Sequence, residues 1–219
     1  MKLHTYFRSS CSYRVRIALH WKGLPFESEF VHLRRGEQRR EQRLALNPQG
    51  LVPTLEDGEL VVSQSFAILE YLEEQYPDPP LLPEQPAGRA RVRQIAQLIA
   101  CEIQPLQNLG PLRVLRRDFG LTEADTTRHG RELIERGLAA VEALLAGSQA
   151  TGLCCHGDAP TFADLCLIPQ VYNARRFDCD LSACPNVERI DAHCAGLEAF
   201  SRAAPHAQLD AEGPDPQTR

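Results

Sequence analysis

Residues 9 to 14 read SSCSYR and follow the strand-like KLHTYF, so two hydroxyls and a thiol fall where an extended segment gives way to a helix. Helix starts expose amides that lack an intrahelical acceptor and carry a partial positive charge, which suits anions. Ser9, Ser10 and Cys11 are therefore candidates to hold or supply a thiolate, the form in which sulfur is nucleophilic. A second helix start follows at Gln64 and Ser65. A ligand carrying both a carboxylate and a thiol would suit the pair. Taken singly, Ser65 reads equally as an ordinary N-cap, and SSC as a capping turn with a partly buried thiol. Cys11 also stands open as a nucleophile in its own right, because CSYR has the length of a redox motif that lacks its second cysteine.

A third feature is LVPT, residues 51 to 54. Pro53 interrupts a strand-like run, where its missing amide normally restricts the strand to an edge. A cis peptide before Pro53 would turn the Val52 backbone outward and leave its amide and carbonyl to pair with a peptide-like ligand.

The elements that must position these residues follow from periodicity. Residues 2 to 7 read as a strand, and Val15, Ala18 and Leu19 have helical spacing before Gly23. FESEFVHL (26 to 33) predicts a second strand, and residues 37 to 46 predict a helix ending before NPQG. LVPTLEDGELVVSQ predicts two strands around a turn at Gly58, and Ser65 opens a helix carrying Phe66, Leu69, Leu72 and Tyr76. The order β-α-β-α-β-β-α predicts a mixed sheet with helices on its faces.

Beyond the proline-dense YPDPPLLPEQPAGR the pattern is helical throughout. One apolar stripe holds Val92, Ile95, Ala96, Ile99 and Ile103 and closes at Pro105; a second holds Ile134, Leu138, Val141 and Leu145, with Thr122 to Asp125 as its cap. TFADL at 161 to 165 has the form of a capping box, Thr161 with Asp164, ahead of another helix. Val187, Ile190, Cys194, Leu197 and Phe200 form a last stripe. The expected boundaries are a first domain over 1–79, a linker over 80–88, a helical domain over 89–211 and a disordered tail over 212–219.

Composition sets limits. The 219 residues are 43% hydrophobic and 24% charged, the proportions of a globular chain with a real core. The net charge of −5 argues against nucleic acid as partner. No run is long and apolar enough for a membrane span, and MKLHTYFRSS lacks the apolar stretch of a secretory signal, so the expectation is cytoplasmic. Eight cysteines without a CxxC pair read as reduced, structural thiols. Cys179, Cys184, His193 and Cys194 match no zinc spacing, and no metal is expected.

The motifs together resemble the zeta-class glutathione transferases of the maleylacetoacetate isomerase type. The carrying residues are SSCSYRVRIAL (9 to 19), ALNPQGLVPTLEDG (45 to 58), QSFAILEYLEE (64 to 74), IQPLQNLG (103 to 110) and FADLCLIPQVYNARRF (162 to 177), and the likeness covers nearly the full chain. One departure is Tyr13, where that signature more often has tryptophan.

The resemblance implies a thioredoxin-like α/β N-terminal domain, a cis Pro53, an all-α C-terminal domain and a homodimer. It implies glutathione as cofactor, contacted by Ser9, Ser10, Cys11, Gln38, Val52, Pro53, Gln64 and Ser65, with Gln104, Asn108 and Gly110 from the second domain. Ser10 would donate to the bound thiol and Cys11 would assist, while Arg8 and Arg176 would hold a small diacid substrate. The implied reaction is cis–trans isomerisation of maleylacetoacetate. The alternatives are maleylpyruvate as substrate, transfer to small α-halo acids, thiol-disulfide exchange through Cys11, and a non-enzymatic binding protein.

Overall fold

The structure, a computed structural model, describes residues 1–212. It divides into two units. The first contains Met1–Leu81 together with residues 196–212, and the second begins at Leu82 and runs to Ala195.

In the first unit four strands, β1 (Lys2–Thr5), β2 (Glu27–Phe30), β3 (Thr54–Asp57) and β4 (Leu60–Ser63), form one sheet in the order β2-β1-β3-β4. β1 and β2 are parallel, with Leu3 opposite Ser28, and α1 (Ser10–Trp21) supplies the crossover that a parallel pair requires. β3 runs antiparallel to both neighbours, placing Leu55 opposite Leu3, and both leucines are buried. The β3–β4 hairpin turns at Gly58, whose φ of 62° is the left-handed conformation read from its sequence. α3 (Ser65–Gln75) follows, burying Ile68, Leu69 and Leu72. Val15, Ile17, Ala18 and Leu19 of α1 are likewise buried. Lys22 ties α1 to the end of α3, its Nζ donating to Glu73 at 2.8 Å and to the carbonyls of Tyr76 and Pro79.

The helix expected over 37 to 46 is shorter. Leu33–Arg35 and Glu37–Arg39 are single 3-10 turns, Arg40 is extended, and only α2 (Glu41–Leu46) is α-helical. The cause is local: the Glu37 carboxylate accepts the His32 amide at 2.8 Å, and Gly36 takes a φ of 74° between the turns.

Residues 196–212 pack with the first unit, although periodicity extended the helical domain to residue 211. α9 (Glu198–Ala203) lies against α1 with Phe200 and Ala203 buried. Arg16, fully buried on α1, donates to the Ala203 carbonyl at 3.0 Å, the Phe7 carbonyl at 3.0 Å and Thr5 Oγ1 at 2.9 Å. The tail expected over 212–219 lies outside the described residues except for Glu212, whose carboxylate meets His32 at 2.8 Å and Arg35 at 3.1 Å.

The second unit is helical: α4 (Pro86–Gln97), a π-helical segment Leu98–Ile103, α5 (Leu109–Phe119), α6 (Glu123–Ala146), α7 (Phe162–Arg176) and α8 (Pro185–Ala195). The apolar stripes read from the sequence over residues 92 to 103, 134 to 145 and 187 to 194 are buried. Both capping boxes form, Thr122 with Asp125 on α6 and Thr161 with Asp164 on α7. Among the described residues no helix is long and apolar enough to cross a membrane, and all eight cysteines are free thiols.

Candidate functional site

The turn into α1 is built from Ser9. Its hydroxyl oxygen accepts the Ser12 amide at 3.1 Å, the geometry of an N-cap, while its own amide donates to the Tyr6 carbonyl at 3.0 Å. The helical ladder begins with the Tyr13 amide on the Ser9 carbonyl, so the amides of Ser10 and Cys11 precede it. Ser10 is buried and Cys11 half-buried, and the first turn of α1 contains no acidic residue. Nothing in that turn therefore offsets the positive end of the helix. The turn is held from outside by Asp210, whose Oδ2 accepts the Phe7 amide at 3.0 Å.

The start of α3 is the second positive end, again without an acidic residue in its first turn. Gln64 precedes it with φ 72° and ψ 114°, a left-handed conformation that costs a residue other than glycine about 1–3 kcal/mol. Such outliers concentrate where a ligand or a close approach requires them. The Gln64 side chain donates to Gln49 Oε1 at 2.6 Å. Ser65 is buried, and its Oγ accepts a hydrogen bond from Nη1 of Arg14 at 3.3 Å. That bond joins the two helix starts through the core of the unit.

The Val52–Pro53 peptide is cis, as the resemblance implied. The β3 ladder begins at Thr54 against His4, so the Val52 peptide lies beyond it. Asn47 shapes the loop ahead, donating to the Leu51 carbonyl at 3.0 Å and accepting the Gln49 amide at 3.1 Å. Val52 and Gln38 line a small hollow with His4, Arg43 and Asn47. Gln38 Oε1 is buried there with no hydrogen-bond partner, which is the state expected of a group awaiting a donor. Arg43 anchors α2 to the sheet through Glu29 at 2.6 Å and the His4 ring.

Arg8 follows the same turn, its guanidinium 5.1 Å from the Phe7 ring centroid and 3.5 Å from the Tyr6 hydroxyl. The remaining residues named from the resemblance belong to the second unit. Gln104 is buried immediately after the π-helical segment, Asn108 caps α5 through the Leu109 amide at 2.8 Å, and Gly110 has open space around its Cβ position. Arg176 ends α7, with Nη1 on Asn173 Oδ1 at 3.2 Å, whereas its neighbour Arg175 is exposed and paired with buried Asp191.

Two contributors escaped the sequence reading, Arg14 and Gln49. The signal for Arg14 was present: SYRVRIAL places Arg14 and Arg16 among apolar residues of a buried helix. The cysteine string considered from spacing does not gather as such. Cys194 instead meets Cys154 and Asp164, all buried with ligand atoms within 4.8 Å of one another. Asp164 is already engaged there, accepting the Cys155 amide at 2.7 Å and both the amide and hydroxyl of Thr161 at 2.8 and 2.9 Å.

A mixed four-stranded sheet with a cis proline at the edge of a helix-start cradle, followed by a helical unit, is the architecture of glutathione transferases, and residues 8–75 match the glutathione S-transferase N-terminal domain. Maleylacetoacetate isomerase from Rhizobium meliloti (strain 1021) is 50% identical over 204 residues, covering 93% of this chain and 95% of that protein. The holo structure of a bacterial zeta-class maleylpyruvate isomerase superposes with a TM-score of 0.95 at 48% identity, covering 97% of this chain and 100% of the other. Maleylacetoacetate isomerase from Methylobacterium extorquens AM1, solved with malonate and glutathione bound, superposes with a TM-score of 0.94 at 40% identity and the same coverage. The chain belongs to the zeta-class glutathione transferase family of maleylacetoacetate and maleylpyruvate isomerases.

Proposed function

We propose that the protein is a glutathione-dependent isomerase that converts maleylacetoacetate to fumarylacetoacetate. The observation that carries this reading is the pair of acid-free helix starts, one presenting Ser10 and Cys11 and the other Gln64 and Ser65, joined through Arg14. The residues fit the tripeptide: Gln38 Oε1 lacks a partner for a donor, and Val52 offers a main-chain edge beyond the ladder. When bound, glutathione would supply a thiolate able to add beside the carboxylate of the cis acid, so that the double bond becomes single and can rotate before the thiolate leaves and the double bond re-forms as trans.

The chain's own residues make that thiolate accessible. Bringing a thiol pKa from about 8.5 to about 6.5 requires roughly 2.7 kcal/mol of preference for the anion. The start of α1 supplies about 0.3–2 kcal/mol, and a hydrogen bond donated by the Ser10 hydroxyl about 1.5–3 kcal/mol more. Together they suffice without a general base. Cys11 assists from the next position and Ser9 holds the turn. Gln64 and Ser65 take a carboxylate, Gln104, Asn108 and Gly110 add contacts from the second unit, and Arg8 and Arg176 bind the diacid substrate. A second copy of the chain covers Leu60 and Val61, exposed on edge strand β4, and the cytoplasm is the compartment.

The test follows maleylacetoacetate absorbance with and without glutathione. Turnover that requires the tripeptide is expected, and equal turnover after exhaustive dialysis would overturn the reading. Maleylpyruvate is assayed alongside, because the zeta-class relative with the TM-score of 0.95 carries that name.

A further inference from the structure

Arg14 lies within α1, 2% exposed, and donates from Nη1 to Ser65 Oγ at 3.3 Å. A guanidinium only donates and keeps its charge, so in this bond the serine oxygen must accept. A hydroxyl carries one proton. With its oxygen engaged from the core side, that proton is left to donate elsewhere, and Ser65 stands at the first position of α3, where the first turn holds no acid. Within this contact the guanidinium also sets a buried positive charge behind a helix start that is already positive.

We propose that Arg14 is a positioning residue for anion capture: it fixes the Ser65 hydroxyl as a donor and adds charge behind it, so that the start of α3 selects a carboxylate. The inference rests on the reading that Ser65 meets glutathione. It assigns to a buried arginine of the first helix, which touches neither substrate nor cofactor, the affinity of the third helix for one end of the tripeptide.

The test uses the full chain and three ligands: glutathione and two analogues, each lacking one of its two carboxylates. In the parent protein the analogue without the captured carboxylate is the weaker binder. Arg14→Lys keeps the charge and loses the fork; it should raise KM for glutathione about tenfold, with the loss falling on KM more than on kcat. For the weaker analogue the same substitution should change KM by less than about twofold, since the group it serves is missing. In a Ser65→Ala background Arg14→Lys should likewise add less than about twofold. Equal weakening of all three ligands, or full additivity with Ser65→Ala, would mean that Arg14 acts only through stability and would overturn the proposal. Should Arg14 variants fail to fold, Ser65→Ala alone still decides: part of the preference for glutathione over the weaker analogue should survive, carried by the guanidinium, and complete loss would refute its share. Failure of the underlying reading looks different, because Ser65→Ala would then leave glutathione affinity untouched.

Discussion

Ser10 and Cys11 occupy adjacent positions at the start of α1, yet their surroundings differ. Ser10 is buried at the end of the helix where the amides precede the ladder, while Cys11 is half-buried. Ser10→Ala should lower isomerase kcat/KM by about 10- to 100-fold, the worth of a hydrogen bond to a charged sulfur. Ultraviolet titration of bound glutathione should show its thiolate forming at higher pH in that variant. Cys11→Ala should retain most activity, and a complete loss would restore the cysteine-dependent exchange chemistry. Arg8→Ala should raise KM for the diacid far more than for glutathione, and unchanged diacid kinetics would remove Arg8 from substrate binding.

His20, also on α1, gives a pH signature. Burial, then the charges of Arg202 and Arg16, push its imidazole down to about 4 from an ordinary 6.5. Between those values the unfolded chain binds the proton that the folded one refuses, so stability is complete above about 6.5 and declines as pH falls toward 4. Thermal melts from pH 7.5 to 4.5 should show this loss, and His20→Leu should flatten it. At this scale the cradle serines were legible because hydroxyls at helix starts have a chemical meaning in one dimension. The place of Arg14 among apolar residues was legible as well, but its partner was not, because Ser65 lies 51 positions away and only the fold joins them.

Elements were legible where a segment is autonomous. The stripes of α4, α6 and α8 repeat at helical spacing and are buried as expected, and both capping boxes close over three residues. The segment 33 to 46 resisted because side-chain contacts override propensity there: Glu37 folds back onto the His32 amide and breaks the run into turns. Asp164 is the sharpest test of an element. It is fully buried and accepts from three donors, so Asp164→Ala strands the Cys155 and Thr161 amides and the Thr161 hydroxyl. A loss of about 3–5 kcal/mol is expected in urea unfolding, and a loss below 1 kcal/mol would show that water replaces the carboxylate. Gly137 tests the packing of α6. A Cβ there would lie 2.4 Å from the Ile103 side chain, so Gly137→Ala should cost about 1–3 kcal/mol despite a better helix former.

At the scale of the whole molecule, the first unit is not continuous in sequence. Helical spacing announced that Phe200 would be buried, yet periodicity names no partner, and the expected boundary at residue 211 followed from that silence. Arg16 is what assigns α9 to the first unit, because a fully buried guanidinium requires the Ala203 carbonyl among its acceptors. A fragment ending at Leu81 should therefore show no cooperative thermal transition by circular dichroism and no glutathione binding. A fragment that melts cooperatively would show that α9 is dispensable.

The discontinuity sets a schedule for biosynthesis. The ribosome delivers Arg16 187 positions ahead of the Ala203 carbonyl that receives it. Until residue 203 has been made, the first unit lacks an acceptor of that guanidinium that lies outside its opening segment, so its core closes only after the whole helical unit has been synthesised.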